Sequence, residues 1–391
     1  MSKISKIKKV AIFLPIYNIA GGERVVFRLA NGLAKNGINV DLVLFKKGER
    51  KLDFNFCSNV NVIKITGKKT ISFLIKAIKY LKDFRPDCIL AQDNWAGLVA
   101  LLSKKISRIS IPIVITIHAT LGERWREYKN KFKKWFDKVI VKKILSSVDA
   151  VVTISRGSRD DLISMFDINP ERIHLIYNAV IDEKILEMAK ENINLEAYFP
   201  YILGVGRLTK QKGFDILIKA FSLVKKNYNG NIHLLILGDG PERGHLEKLA
   251  RELGIKNYVH MPGYIENPYP YITNASVFVL SSRWEGLSTV LIEALAIGTP
   301  IVSTDCLSSP REILKDGKLG RLVPVEDPTA LALAILETIN NPIIIQNDIS
   351  WKRFTVQHAA ENYIHLIEHL IYIKKLKNIL QKRPCWKICA E

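Results

Sequence analysis

Two glutamates stand eight residues apart, Glu285 and Glu293, in the stretch SSRWEGLSTVLIEALAIGTPIVSTD. Glu285 falls in a glycine-containing loop and Glu293 inside an apolar run. That run has helical character from about Ser288 to Ile297 and is stopped by Gly298 and Pro300. The backbone N–H groups of Leu287 and Ser288 would then be free at a helix start, which carries about half a positive charge and suits a diphosphate. Glu293, between Ile292 and Ala294, is the more unusual acid. A buried carboxylate must find hydrogen-bond partners, and paired hydroxyls of a sugar would provide them. A helix with a dipole-favoured acid at its start and one capped, buried glutamate would satisfy the same pattern.

Three other loops carry residues fit for chemistry. In GRLTKQKG (206–213), Arg207 and Lys212 are five apart with no acid between them. Two cations so placed make a phosphate clamp, or else a solvated charged loop. The glycine and lysine-serine spacing is wrong for a Walker loop. Gly204, Gly206 and Thr209 lack the third glycine of the dinucleotide fingerprint, as does GDGPER (238–243). In AGGERVV (20–26), Gly21 and Gly22 bring backbone close to a ligand at another helix start; a plain tight turn would read the same. His118, in IHAT, ends a strand. A lone histidine is often a satisfied core residue, but a strand's carboxyl end is where ligands of open α/β sheets bind.

The elements that must position these loops follow from hydrophobic pattern. Short apolar runs, VAIFL (10–14), VDLVLF (40–45), NVIKI (61–65), CILAQ (88–92), IVITIH (113–118), AVVTIS (150–155) and IHLIY (173–177), alternate with amphipathic stretches such as ERVVFRLANGLAKNG, which Gly37 would end. After an acidic bridge at 181–199 the alternation restarts with YILGVG (201–206) and HLLILGDG (233–240). Such alternation implies parallel sheets covered by helices. The chain therefore divides into a doubly wound domain over 1–180, a linker over 181–199 and a second doubly wound domain over 200–350. A helix pair with a basic tail over 351–391 is expected to pack back on the first domain. The natural site is the cleft between the two domains.

Placed in order along the chain, GGERVVFRLANGLAKNG, GRLTKQKGFDILIKAF, EGLSTVLIEALAIGTPIVSTD and SSPREILKDGKLGRLVPVEDPTAL resemble the motifs of the family 4 retaining glycosyltransferases, from about residue 10 to 335. Glu285-x7-Glu293 is similar to that family's E-x7-E. The resemblance implies an α/β chain of GT-B fold, two Rossmann-like doubly wound domains facing a central cleft. It implies that Glu293 binds the ribose hydroxyls of a nucleotide. Glu285 would orient the donor sugar, with Gly286 and Leu287 offering backbone donors. Arg207 and Lys212 would neutralise the diphosphate as it leaves, beside Gly206. His118 would face the donor sugar from the other domain, and Gly21 and Gly22 would approach the diphosphate on closure. It further implies transfer with retention, no cofactor and no metal, and a UDP-linked donor. The chain departs from the family at Leu307, Ser308 and Ser309, where many relatives carry glycines, and at Ala179, so Asn178 is not placed among the site residues.

Charge points to a partner. The net charge is +20, with 33 Lys+Arg against 15 Asp+Glu in residues 1–180 and 25 against 23 in residues 181–391. An anionic membrane or nucleic acid would suit the first half. GERWREYKNKFKKWFDKVIVKKIL (122–145) holds nine Lys+Arg and three acids, and its Trp125, Tyr128, Phe132, Trp135, Phe136, Val139, Ile140 and Ile144 fall on one helical stripe. That reads as a membrane-surface helix, or as a core-facing helix with a solvated basic face. With the family resemblance, it implies a glycolipid or polyprenyl-diphosphate-linked glycan acceptor at the cytoplasmic face, and no nucleic acid. A nucleic-acid binder would leave both glutamates unexplained. A soluble acceptor, an epimerase or a phosphorylase of the same fold remains as the alternative. Five scattered cysteines argue for a reducing compartment. Pro15 and Asn18 interrupt the apolar start, and no run reaches the ~18 residues of a membrane span, so a cytoplasmic, peripheral protein is expected.

Overall fold

The apolar runs form two separate parallel sheets in the computed structural model, which describes residues 7–16, 21–46, 54–67, 70–118, 122, 125, 130–166, 168–194, 199–345 and 348–382. The first holds β1 (Lys9–Ile16), β2 (Asn39–Lys46), β3 (Val60–Thr66), β4 (Cys88–Ala91), β5 (Ile113–Ile117), β6 (Ala150–Thr153) and β7 (Ile173–Leu175), in the order β3-β2-β1-β4-β5-β6-β7. The second holds β8 (Tyr201–Val205), β9 (His233–Leu237), β10 (Val259–Gly263), β11 (Val277–Leu280), β12 (Ile301–Thr304) and β13 (Arg321–Val323), in the order β10-β9-β8-β11-β12-β13. Every pairing is parallel. The middle strands β4, β5, β6, β11 and β12 are buried along their whole length. This is why they are continuous apolar runs rather than alternating ones.

Strand order reverses between β1 and β4 in one sheet and between β8 and β11 in the other. At such a point neighbouring strands send their connections to opposite faces, leaving a crevice at their carboxyl ends. The chain enters α1 (Gly21–Lys35) after β1, α5 (Phe214–Asn227) after β8 and α6 (Thr289–Ile297) after β11. The loops singled out by sequence therefore sit at the two crevices.

One face of the first sheet is covered by α2 (Thr70–Phe84), α3 (Asn94–Ser107) and α4 (Lys131–Ser147), over a core that includes Phe13, Phe45, Phe73 and Trp125. The other face is covered by α1 together with α7 (Val356–Lys382), whose Ala359, Ala360, Tyr363 and Ile367 join Phe27, Ala30 and Leu33 in one cluster. The Tyr363 hydroxyl meets Thr116 Oγ1 at 2.9 Å, and Lys374 Nζ donates to the Ile111 carbonyl at 2.8 Å.

Three features differ from the sequence expectation. The end of the described chain is a 3₁₀ turn, Ser350–Phe354, followed by one long helix rather than a pair, since no glycine or proline interrupts 356–382. The short edge strand β13 has only three residues and too little pattern to be read. The 122–145 stretch is not a single stripe. α4 begins after Asn130, whose side chain accepts from Lys133 N, and Trp125 lies outside it, buried against Phe166. Tyr128 lies outside the described residues. Among the described residues no helix is long and apolar enough to cross a membrane, and Cys57, Cys88 and Cys306 are free thiols.

Candidate active site

The loops after β8 and β11 are joined side by side. Gly213 takes φ +61°, and a Cβ there would run into the Ser281 carbonyl, so only glycine lets the two loops meet. Ser281 Oγ donates to the Lys212 carbonyl at 2.9 Å, Arg283 N to Gln211 O at 2.8 Å, and Gln211 Nε2 to Trp284 O at 3.0 Å. The Arg283 guanidinium forks onto both oxygens of Asp215 at 2.9 Å and also pairs with Glu326. Bidentate pairs of this kind fix geometry as well as charge.

On this platform Lys212 Nζ meets Glu285 Oε1 at 2.6 Å, and Ser282 Oγ donates to the same oxygen at 2.6 Å. Glu285 is 6% exposed. The 206–213 loop itself carries no acid, as read from the sequence, yet Lys212 is paired. Its acid arrives from the neighbouring loop, 73 residues later. Arg207 is exposed, lines the cleft and has no carboxylate partner among the described residues. Helix α6 starts at Thr289, one residue later than expected, and ends at Gly298. Ser288 N is not free: it donates to Ser309 Oγ at 3.3 Å. Ser288 Oγ, though buried, has no partner among the described residues.

Glu293 lies deeper. Its side chain is 12% exposed, 3.9 Å from Arg28 Nη1, and Tyr269 OH donates to its Oε1 at 3.4 Å. The sequence reading gave this buried acid sugar hydroxyls for partners; the structure supplies an arginine of the first domain and a tyrosine. Burial pushes the Glu293 carboxyl up to about 7, against the pull of Arg28, Tyr269 and Arg24 and with Asp182 adding to the rise. Arg28 also donates to the Val180 carbonyl at 2.7 Å and to Tyr269 OH at 3.2 Å, and one turn earlier Arg24 donates to Tyr264 OH at 2.8 Å. Sequence reasoning missed Arg24, Arg28, Tyr264 and Tyr269. The signal for Arg28 was present, an arginine within the apolar run VVFRLA.

A cleft of about 920 Å³ runs between the domains. Gly22, His118, Gly206, Arg207, Lys212, Glu285, Gly286, Leu287 and Glu293 all line it. Gly21 begins α1 and Ser288 lies behind the lining. A Cβ at Gly22 would meet nothing within 4 Å, so packing does not explain the glycine. Asn178, not among the expected residues, also lines the cleft. His118 follows β5 directly, with Nε2 at 2.9 Å from Gln92 Oε1. Burial pushes its pKa down to about 4, so the ring is neutral at ordinary pH. It can orient a hydroxyl but holds no proton to give as an imidazolium.

Two family models match the chain, Glycosyltransferase Family 4 over residues 19–184 and Glycosyl transferases group 1 over residues 187–352. A relative from Campylobacter jejuni is 31% identical over 336 residues, covering 83% of this chain and 88% of its own. That relative is N-acetylgalactosamine-N,N'-diacetylbacillosaminyl-diphospho-undecaprenol 4-alpha-N-acetylgalactosaminyltransferase. Sucrose-phosphate synthase from Thermosynechococcus elongatus superposes with a TM-score of 0.72 at 20% identity, over 95% of this chain and 99% of that one. Anabaena HepE in complex with UDP superposes with a TM-score of 0.69 at 18% identity, over 96% and 100%. The architecture is the GT-B fold.

Proposed function

The chain belongs to the family 4 glycosyltransferases, and we propose that it moves a sugar from a UDP-linked donor to a lipid-linked or cell-envelope glycan acceptor at the cytoplasmic membrane face, with retention and without metal. The observation that carries this reading is the meeting of Arg207, Lys212, Glu285 and Glu293 on one wall of the cleft with Gly22 and His118 on the other. Glu293 takes the ribose hydroxyls. The diphosphate lies at the start of α6, against Arg207 and Lys212. Glu285 and His118 orient the sugar.

In the reaction the bond from the anomeric carbon to the diphosphate breaks. A bond to the acceptor oxygen forms on the same face, and the acceptor proton passes to the departing phosphate oxygen. Negative charge grows on the diphosphate, so fixed cations there stabilise the transition state more than the ground state. Arg207 and Lys212 supply charge that other transferases draw from a metal, which supports the metal-independent reading. An alpha-linked, lipid-borne product is supported by the Campylobacter relative, whose name gives a diphospho-undecaprenol acceptor and a 4-alpha linkage. UDP is supported by the HepE complex.

Membrane docking is supported by α4, which turns Phe132, Trp135, Phe136 and Val139 to solvent among its lysines.

The test is thermal stabilisation by UDP, GDP and ADP, with and without EDTA, on wild type and Glu293→Ala. UDP should raise the melting temperature of the wild type, indifferently to EDTA, and not that of the variant. Absence of any shift at millimolar nucleotide would sink the donor site. Radiolabelled sugar that never reaches a lipid extract, despite UDP binding, would favour the epimerase or a soluble acceptor.

A further inference from the structure

Arg28 is the one residue of the first domain's α1 that reaches the second domain's buried carboxylate, among the described contacts. It is 9% exposed, and its guanidinium is shared four ways. Nη1 donates to Val180 O at 2.7 Å and stands 3.9 Å from Glu293 Oε1, Nη2 donates to Tyr269 OH at 3.2 Å, and Nε lies 3.5 Å from Asp182 Oδ2. Tyr269, 4% exposed, closes the triangle by donating to Glu293 Oε1 at 3.4 Å. Both groups bear on Oε1. Among the described residues Glu293 Oε2 has no hydrogen-bond donor, and Glu293 lines the cleft.

We propose that Arg28 is a positioning residue of the donor site: carried by the first domain, it favours the carboxylate form of the second domain's Glu293, with Oε1 engaged and Oε2 left for the donor's ribose. This rests on the donor reading above and adds to it a coupling. The ribose-binding acid is complete only when the two domains stand together, because its counter-charge belongs to the other domain. The chemistry is that of a poorly solvated acid. Isolated, a buried carboxylate would stay protonated near neutrality and offer ribose a neutral, weaker hydrogen bond. The charged and titratable groups around it are Arg28, Arg24, Asp182 and Tyr269. The two arginines favour the carboxylate and Asp182 opposes it.

The direction of the pH effect follows. Glu293 gains its proton as pH falls through about 7, so nucleotide affinity falls on the acid side. Without Arg28 the carboxyl rises further, and the loss sets in at higher pH. A mere latch between domains would weaken binding without moving this profile.

The experiment is UDP titration calorimetry on the full chain from about pH 6 to about pH 9. The variants are Arg28→Met, Arg28→Lys, Glu293→Gln and Arg28→Met/Glu293→Gln, each checked for a native circular dichroism spectrum. Arg28→Met should bind UDP about tenfold more weakly near neutrality, with the acid limb moved upward, and Arg28→Lys should restore most of both. Glu293→Gln should flatten the profile, and adding Arg28→Met to it should change affinity less than about twofold. Equal losses from Arg28→Met in both backgrounds, with the limb unmoved, would overturn the proposal and leave Arg28 a latch. If Arg28→Met does not fold, the same decision comes from Arg28→Lys: an unchanged limb with weakened binding overturns it. A wild type that binds no nucleotide at all removes the donor reading, and this proposal with it.

Discussion

Lys212 and Glu285 are 19% and 6% exposed and 2.6 Å apart, so removing either alters both. Breaking a buried pair leaves one charge without its partner, at a cost of roughly 3–5 kcal/mol. Ser282 retains its hydrogen bond to Glu285 and offsets part of that. Lys212→Met should therefore lower the unfolding free energy by about 3 kcal/mol and, by removing charge from the leaving diphosphate, lower kcat about 100-fold. Lys212→Met/Glu285→Gln should recover the stability, because no buried charge remains, but none of the turnover. Denaturant unfolding and single-turnover assays read the two effects separately. A single variant as stable as wild type would mean that the pair is solvated. At this scale the glutamates, Arg207 and Lys212 were legible because acids and cations at loop ends stand out against apolar surroundings. What Lys212 and Glu293 touch was not legible. The Lys212 partner lies 73 residues away, and the Glu293 partners are an arginine of the other domain and a tyrosine 24 residues earlier; nothing local encodes such distances.

Helix α4 carries two apolar stripes where a core helix needs one. Val141, Ile144 and Leu145 are buried, and Ile140 packs beside them. Phe132, Trp135, Phe136 and Val139, spaced at i, i+3, i+4 and i+7, are 72%, 59%, 53% and 46% exposed. Helical periodicity shows that apolar residues share a face, but not which face meets the core, so the sequence merged the two into one stripe. Asn130 as a cap was readable and separates Trp125 from the helix proper. An exposed aromatic stripe among Lys131, Lys133, Lys138, Lys142 and Lys143 has the chemistry of a helix lying in a lipid headgroup layer. Trp135→Ser/Phe136→Ser should lower co-sedimentation with anionic vesicles by at least about tenfold, since two aromatic side chains inserted in lipid far exceed the 1.4 kcal/mol that a factor of ten needs. Thermal stabilisation by UDP should not change. Rising salt should weaken vesicle binding of the wild type as lysine attraction is screened. Unaltered co-sedimentation of the variant would return α4 to a solvated helix with exposed aromatics of no consequence. The strands were the most legible elements, because parallel strands buried on both faces leave continuous apolar runs. The three-residue β13 lay below that threshold.

The two domains are joined twice, by the chain at Val180–Asp182 and by its return at Phe354–Val356. Val180 N and Ile181 N donate to Phe354 O, and Val356 N donates to Ile181 O. From there α7 seats on α1, the helix that carries Arg24 and Arg28 into the cleft. Strand alternation made each sheet legible, but the order within a sheet and the seat of α7 depend on surfaces far apart in sequence. Gly32 marks that seat. In an exposed helix Gly→Ala stabilises by about 1 kcal/mol, yet a Cβ at Gly32 would stand 2.7 Å from Val356 Cγ1, 3.1 Å from Ala360 Cβ and 3.2 Å from the Val356 carbonyl oxygen. Crowding at a packed contact typically costs 1–3 kcal/mol, so the sign reverses. Gly32→Ala should lower the melting temperature, and the UDP dissociation constant should rise severalfold as α1 shifts and moves Arg24 and Arg28 off Tyr264 and Glu293. Val356→Ala added to Gly32→Ala removes the nearer clash and should restore part of both losses. Gly32→Ala that melts higher than wild type would show that α1 and α7 are not held in register. If stability falls while UDP binds as before, α7 braces the first domain without setting the cleft.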